Sequence, residues 1–327
     1  MTDVTLRATK GSPLTHTEMD NNQIATRSGR KNLVIGGNFS TNPWQRGTAF
    51  TAVGNGDYTA DRIRHTVVGA GVFDIDRDVD APSVAQAGFV VSHSLSVDVT
   101  TADASMAASD RYEFQYRIEG YDYAQIAQSD FVISFWHKHT KTGTYCVGLR
   151  NSGADRSYVA EYTQSVTDTW EKAEIKVTAS PSAGTWNYNT GIGLNISFPF
   201  AAGSTVHTTA DTWQTGSFVA TSSQVNAMDS TSNFCRFASI QVEEGIEATD
   251  FERRHVGEEL ALCQRYYWEG ATSDHGAYKA NGTAGATIMN GGSSNFPVEM
   301  RATPTMAVVT AGTLYNCVGE TPTTGVR

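Results

Sequence analysis

The chain has 327 residues, 18% of them charged, and a formal net charge of −10 at pH 7, a balance that argues against a surface tracking nucleic-acid phosphates, which needs clustered Lys and Arg. No run approaches the ~18 apolar residues of a membrane span, and Met1-Thr-Asp-Val lacks the basic start and apolar stretch of a signal peptide, so neither membrane insertion nor a leader is expected. Abundant Gly, Ser and Thr with scattered β-branched and aromatic residues are the composition of many short strands joined by polar turns, over a length sufficient for two or three domains.

In residues 1–31 the apolar anchors Val4, Leu6, Leu14, Met19 and Ile24 are too few for an independent core. Pro13 after Ser12, and Thr15 three residues before Glu18 in capping-box spacing, predict a short helix through Ile24, although on composition alone this is a frayed polar tail. From Asn32 the texture changes: Leu33-Val34-Ile35 before Gly36-Gly37 predicts a first strand ending in a bend. Further strands are predicted at 63–68, 72–79, 93–99, 112–118, 131–137, 145–150, 158–162, 173–177, 193–198 and 234–243. That number of strands, with long and mostly non-hairpin connections, predicts an all-β jelly-roll sandwich over residues 32–253 in preference to a meander barrel.

Val256 to Trp268 breaks the rhythm. Val256, Leu260, Cys263 and Tyr267 fall on one helical stripe, with Glu258 and Glu259 in the first turn and Arg265 in the last, which suits the helix dipole. A helix of this length is marginal alone, so the linker helix at 254–268 has to pack against a domain or against copies of itself, and the four stripe residues are the candidate oligomerisation contacts. Residues 269–327 return to β-texture, with strands predicted at 277–278, 286–289, 296–300 and 306–309, as a small or incomplete distal β region. Cys146, Cys235, Cys263 and Cys317 are dispersed without a Cys-x-x-Cys pair, and free, mostly buried thiols are expected.

Several of these pieces together resemble bacteriophage tail-fibre and host-adsorption proteins. Asn32-Leu-Val-Ile-Gly-Gly-Asn-Phe39, Trp44-Gln-Arg-Gly-Thr48 and Tyr58-Thr-Ala-Asp-Arg62 are similar to the opening of a fibre sandwich module related to carbohydrate-binding jelly rolls. Ser134-Phe-Trp136, Gly143-Thr-Tyr145 and Asp168-Thr-Trp-Glu171 continue it, and Ile240-Gln-Val-Glu-Glu-Gly245 with Ala248-Thr-Asp-Phe-Glu252 looks like its exit. Glu258-Glu-Leu260 with Cys263-Gln-Arg-Tyr-Tyr267, then Phe296-Pro-Val-Glu-Met-Arg301 with Pro304-Thr305, resemble a joint and the start of a distal tip; Ile63 departs from the pattern, which often has Trp there. The resemblance implies a non-enzymatic structural protein made in the host cytoplasm and carried in the virion tail. It implies a homotrimer without cofactor, attached to tail or baseplate proteins through residues 1–31 and meeting host surface glycans through the sandwich. The rival readings are a mechanical connector that binds no glycan and a polysaccharide depolymerase, the latter disfavoured because no stacked short repeat is visible.

Trp44, Trp136, Trp186, Tyr188 and Trp213 are the candidate glycan-stacking residues, because an aromatic face beside Asn, Gln or Thr is how a sandwich surface holds a sugar ring. Core packing is the competing reading for each. Asp74, Asp76, Asp78 and Asp80 alternate along one strand face, where a solvated acidic comb that discourages strand pairing is expected over a calcium site, since Val79 stands where an EF-hand loop needs Gly. His137 and His139 are strand-spaced with no third ligand in view, and an exposed strand end is expected. No nucleophile elbow, phosphate loop or His-Glu-x-x-His motif is present, so neither catalytic residues nor a metal are assigned.

Overall fold

A computed structural model describes residues 31–269 and 296–305, together with Ser12, Pro13, Thr15 and two short strand pieces at Ala280–Asn281 and Asn290–Gly291 that pair antiparallel. The helix expected through Ile24 and the strands expected at 277–278, 286–289 and 306–309 lie outside the described residues. Phe296–Met300 is described and forms bends, not a strand.

The strands are β1 (Ala49–Phe50), β2 (Ile63–Val68), β3 (Val72–Asp78), β4 (Ser94–Thr101), β5 (Arg111–Glu119) and β6 (Phe131–His139). They continue with β7 (Gly143–Asn151), β8 (Arg156–Gln164), β9 (Glu171–Val177), β10 (Ile192–Ala202), β11 (Gln214–Thr215) and β12 (Phe234–Glu244). Two six-stranded sheets result, ordered β1-β3-β4-β12-β6-β9 (sheet A) and β11-β8-β7-β10-β5-β2 (sheet B), and every pairing within them is antiparallel. This is the expected jelly-roll sandwich.

Period-two alternation explains the layers. In β5 the residues Tyr112, Phe114, Tyr116 and Ile118 enter the core, leaving Arg111, Glu113, Gln115 and Arg117 on the other face. Between the sheets Phe114 stacks on Phe198 at 4.6 Å and meets the edge of Phe237 from the opposite sheet at 4.9 Å, and Phe135 meets Phe198 edge-on at 5.2 Å. Each such ring pair adds about 0.5–1.5 kcal/mol beyond the area it buries.

Three sequence expectations are corrected by packing. Leu33–Ile35 is buried but forms no strand: the Leu33 N–H donates to Val242 O, Val34 N–H to Asn32 Oδ1 and Ile35 N–H to the Tyr116 hydroxyl. This segment lies against a bulge in β12 between Ala238 and Gln241, and there a Cβ on Gly37 would stand 2.4 Å from Ile240 O, so only glycine fits. His137 and His139 are not at an exposed end; both are buried between the sheets among Tyr145, Tyr162 and Phe237. The acidic comb is only partly free, because Asp78 and Asp80 pair with Arg236 at 2.8 and 3.0 Å, and Asp80 also accepts from Lys138 Nζ and Trp170 Nε1.

The helix Val256–Gln264 packs on its own sandwich, one of the two options left open for it. Its inward residues are Glu259, Leu262, Cys263 and Tyr266, so the observed inner face is rotated from the expected stripe and shares only Cys263 with it. Cys263 is buried in the chain's own core, whereas Val256 is 64% exposed. Polar anchors fix the orientation: Glu259 accepts from Gly36 N–H, Arg254 donates to the carbonyls of Asn32 and Val34, and Arg265 makes a two-pronged pair with Glu119 at 2.8 and 3.1 Å. Polar anchors replace the apolar seam that the spacing suggested. Cys146, Cys235 and Cys263 are buried free thiols, and Cys317 lies outside the described residues.

Candidate functional site

Three of the five aromatic candidates come together at one end of the sandwich. The loop between β9 and β10 carries Trp186 and Tyr188 back over Tyr123, which stands where β5 ends, with centroid separations of 5.4 and 6.2 Å and nearly parallel rings. Trp213, just before β11, meets the edge of Trp186 at 5.7 Å and leans on Tyr158 of β8 at 5.5 Å. Backbone bonds hold the loop in place, from Gly120 N–H to Gly191 O and from Tyr121 N–H to Asn189 O. Indole N–H groups are used internally, Trp186 to Ala183 O and Trp213 to Thr178 O, so the rings offer faces and not donors. Tyr188 is 41% exposed and Trp186 and Trp213 are half-buried.

Trp44 and Trp136 are elsewhere. Trp44 is 4% exposed, its N–H donating to Phe39 O, and it serves the core. Trp136 lies on the outer face of sheet A, where it packs in a small cluster with Val91, Trp170 and Ala238 under the segment 81–91. Neither presents a free ring face: Trp44 is buried against the nearby Phe39, and Trp136 is covered by a segment distant in sequence.

Beside the aromatic end lies a cavity of about 330 Å³, near the lower bound of small-molecule pockets, whose lining includes Arg46, Tyr58, Arg62, Arg117, Tyr266 and Tyr267. Arg46 and Arg62 lie over the rings of Tyr267 and Tyr266, each guanidinium carbon 3.4 Å from the ring centroid. Such stacking contributes about 0.5–2 kcal/mol. Burial holds the Asp61 carboxyl above its ordinary range, against the opposing hydrogen bonds of Gln45 and the charge of Arg46. For Glu119 burial opposes ionisation as well, but the hydrogen bonds from Arg265 and Tyr266 prevail and hold it below the usual carboxylate range.

From this cavity a polar row runs across the outer face of sheet B. Arg117, Asn195 and Arg150 are register partners on β5, β10 and β7, and Arg64, Gln115 and Ser197 form the adjacent row. Gln115 Nε2 donates to Glu113 and Thr66, Asn195 Nδ2 to Gln115 Oε1 at 3.2 Å, and Arg150 to Ser197 and Ser217 at 3.3 and 3.4 Å. The β10–β12 connection roofs one side, where a Cβ on Gly148 would meet Val219 Cα at 2.6 Å. Among the described residues Glu113 Oε2, Arg150 Nε, Asn195 Oδ1 and Arg117 Nε have no hydrogen-bond partner. Leaving a buried polar group unpaired costs about 1–3 kcal/mol, so this row carries a local polar cost that the apolar face of the same strands does not.

Sequence reasoning on aromatic and histidine types missed this row. Its signal was present in Arg111-Tyr-Glu-Phe-Gln-Tyr-Arg-Ile-Glu119, where charged and amide side chains take every second position of a strand whose other face is wholly apolar or aromatic. Among the described residues no group of three or more His, Cys, Asp or Glu could hold a metal ion, and no helix is long and apolar enough to cross a membrane.

No family model and no curated protein matches the chain. Similar solved structures include a candidate sugar-binding protein from Bacteroides thetaiotaomicron, 9% identical over 66% of this chain and 100% of that one, with a TM-score of 0.38. The family 11 carbohydrate-binding module from Clostridium thermocellum, in complex with a β-1,3-1,4-mixed-linked tetrasaccharide, is 9% identical over 62% of this chain and 99% of that one, with a TM-score of 0.31. A family 61 carbohydrate-binding module in complex with β-1,4-galactotriose is 10% identical over 66% of this chain and 99% of that one, with a TM-score of 0.29.

Proposed function

We propose that the sandwich is a non-catalytic glycan-binding module and, from the motif resemblance, that the chain serves in adsorption of a phage tail fibre to host surface polysaccharide. What supports glycan binding is the aromatic group Trp186, Tyr188 and Trp213, the first two stacked on Tyr123 and the third tilted against Tyr158, beside a cavity and a row of amide, hydroxyl and guanidinium groups. Sugar rings present exactly the complementary surfaces, an apolar face with hydroxyls around its edge. Each site is weak and gains strength through several copies on one fibre. In this reading residues 1–31 attach to tail or baseplate, 32–253 form the sandwich, 254–268 the joint and 269–327 the distal region. Three copies then meet around the fibre axis, with the exposed Val256 of the original stripe available for that contact, Cys263 withdrawn from it by burial and Tyr267 engaged by Arg46 of its own sandwich.

The test is a glycan array probed with the full chain, followed by titration of the best hit with the variant Trp186→Ala/Tyr188→Ala. The expected result is binding that weakens at least about tenfold in the variant, the loss corresponding to about 1.4 kcal/mol of stacking. Silence across the array would favour the connector that binds other virion proteins. Release of reducing ends from a bound polysaccharide would favour the depolymerase.

A further inference from the structure

The outer face of sheet B carries a charge opposite to that of the molecule. The chain has a net charge of −10, yet Arg64 of β2, Arg111 and Arg117 of β5 and Arg150 of β7 all lie on this face, close enough for their charges to interact through the group. The carboxylate they enclose is Glu113, fully buried, with Arg111 at 3.4 Å and Arg150 at 3.5 Å. Farther along β5, Glu119 is already held by Arg265, and Asp61 by Arg46. Arg64 and Arg117 therefore make no ion pair among the described residues. Burial chiefly lowers the Arg117 pKa, and Arg64 and Arg62 add to the effect against the opposing Tyr58.

The polar atoms left over on this face point the same way. Arg150 is 8% exposed and its Nε donates to nothing among the described residues, nor does Arg117 Nε. Asn195, 9% exposed, lies between these two arginines in register with an unused Oδ1, and Ser197 and Gln115 stand in the next row. Guanidinium forks match planar oxyanions two bonds at a time, whereas amides and hydroxyls match sugar hydroxyls.

We propose that this face is the subsite for the anionic group of an acidic saccharide, a uronate, sialate or sulfate ester, with the half-buried Arg64 and Arg117 meeting the anion. This rests on the glycan-binding reading and names the ligand class for it. Electrostatic attraction toward a positive patch on an acidic protein also explains how such a module can approach a negatively charged polysaccharide coat, since the local field and not the net charge steers the final encounter.

The experiment compares matched polymers on the full chain by titration calorimetry: polygalacturonate, hyaluronan and polysialic acid, each against its carboxyl-reduced form, with chondroitin sulfate against its desulfated, carboxyl-reduced form and with polyglutamate as a sugar-free polyanion. At least one acidic polysaccharide is expected to bind at least about tenfold more tightly than its neutralised form, with affinity falling as salt rises. Arg64→Ala/Arg117→Ala is expected to remove that preference, Arg117→Lys to restore part of it, and Lys172→Ala on the opposite sheet to leave it unchanged, each variant first checked for an unaltered thermal midpoint. The comparison of acidic with neutralised polymer on the unaltered chain stands even where a variant does not fold. Equal affinity for both forms overturns the acidic subsite and leaves the glycan reading intact. Polyglutamate bound as tightly as any polysaccharide also overturns it, in favour of indiscriminate polyanion binding. Absence of binding to every polysaccharide, neutral arrays included, removes the glycan reading and this inference with it.

Discussion

The outer faces of the two sheets are built on the same strand alternation and have opposite characters. On sheet A, Asp74, Asp76, Asp78 and Asp98 crowd one region; burial and then the like charges of Asp98, Asp74 and Asp78 raise the Asp76 pKa, while Arg236 and Lys138 bridge the carboxylates at its border at 2.8 to 3.0 Å. That face is half-exposed, and the segment 81–91 lies over part of it. On sheet B arginines predominate, the groups are more deeply buried, and four polar atoms lack partners among the described residues. The difference teaches that acidity of a whole chain says little about a particular face: charges on sheet A neutralise one another or reach water, whereas those of sheet B are in surplus and shielded from it.

Acid should act most strongly, and it should act through both sheets unequally. His137 and His139 of β6 in sheet A and His65 of β2 in sheet B are buried, and burial lowers their pKa, to about 4 for His137 and about 3 for His65. A folded pKa below the unfolded value near 6.5 means that the unfolded chain takes up the proton first, so this stability is complete above pH ~6.5 and is lost as the pH falls toward the folded values. Each histidine then removes about 1.4 kcal/mol per pH unit within its window. Urea unfolding at pH 7, 6 and 5 is expected to show the decline, flattened more by His137→Gln/His139→Gln than by His65→Gln. Equal flattening would break the asymmetry.

Next in size is the carboxylate among the arginines. Glu113→Ala leaves buried guanidinium groups uncompensated and is expected to cost about 3 kcal/mol in chemical denaturation. An acidic saccharide that binds this face should recover part of the loss, because it supplies the missing anion. The smallest effect belongs to sheet A: Asp78→Asn leaves Arg236 its bond to Asp80 at 3.0 Å, and the expected cost is under about 1 kcal/mol. If the two substitutions cost the same, the two faces do not differ in the way their burial implies.

How much could be read beforehand differed by element. Strand positions were legible because inward and outward residues alternate: the expected 63–68 coincides with β2, and the other nine expected from 72 to 243 differ from the observed strands mostly at their ends. Leu33–Ile35 misled because an apolar triplet marks burial without saying whether the backbone runs a full ladder or, as here, bonds once to Val242 and then to the Asn32 and Tyr116 side chains. His137 and His139 misled for a related reason, since imidazole is polar by type but here is enclosed by Tyr145, Tyr162 and Phe237. Of the candidate site, Trp186, Tyr188 and Trp213 were found by residue type, but nothing in their spacing showed that they adjoin, because Tyr123, just after β5, and Tyr158 of β8 that join them are distant in sequence.

The sequence by itself determined that the chain is a β-sandwich with apolar and polar sides to each strand, since a two-residue period is a property of neighbouring positions along one strand. It also contained the alternating Arg111, Glu113, Gln115 and Arg117 row. Only the tertiary structure decided which aromatic rings meet, that the Val256–Gln264 helix turns Glu259 and Tyr266 inward, and that arginines from β2, β5 and β7 share one face. Those outcomes depend on strand order across a sheet, which brings together residues far apart in the chain and so leaves no local periodicity from which to read them.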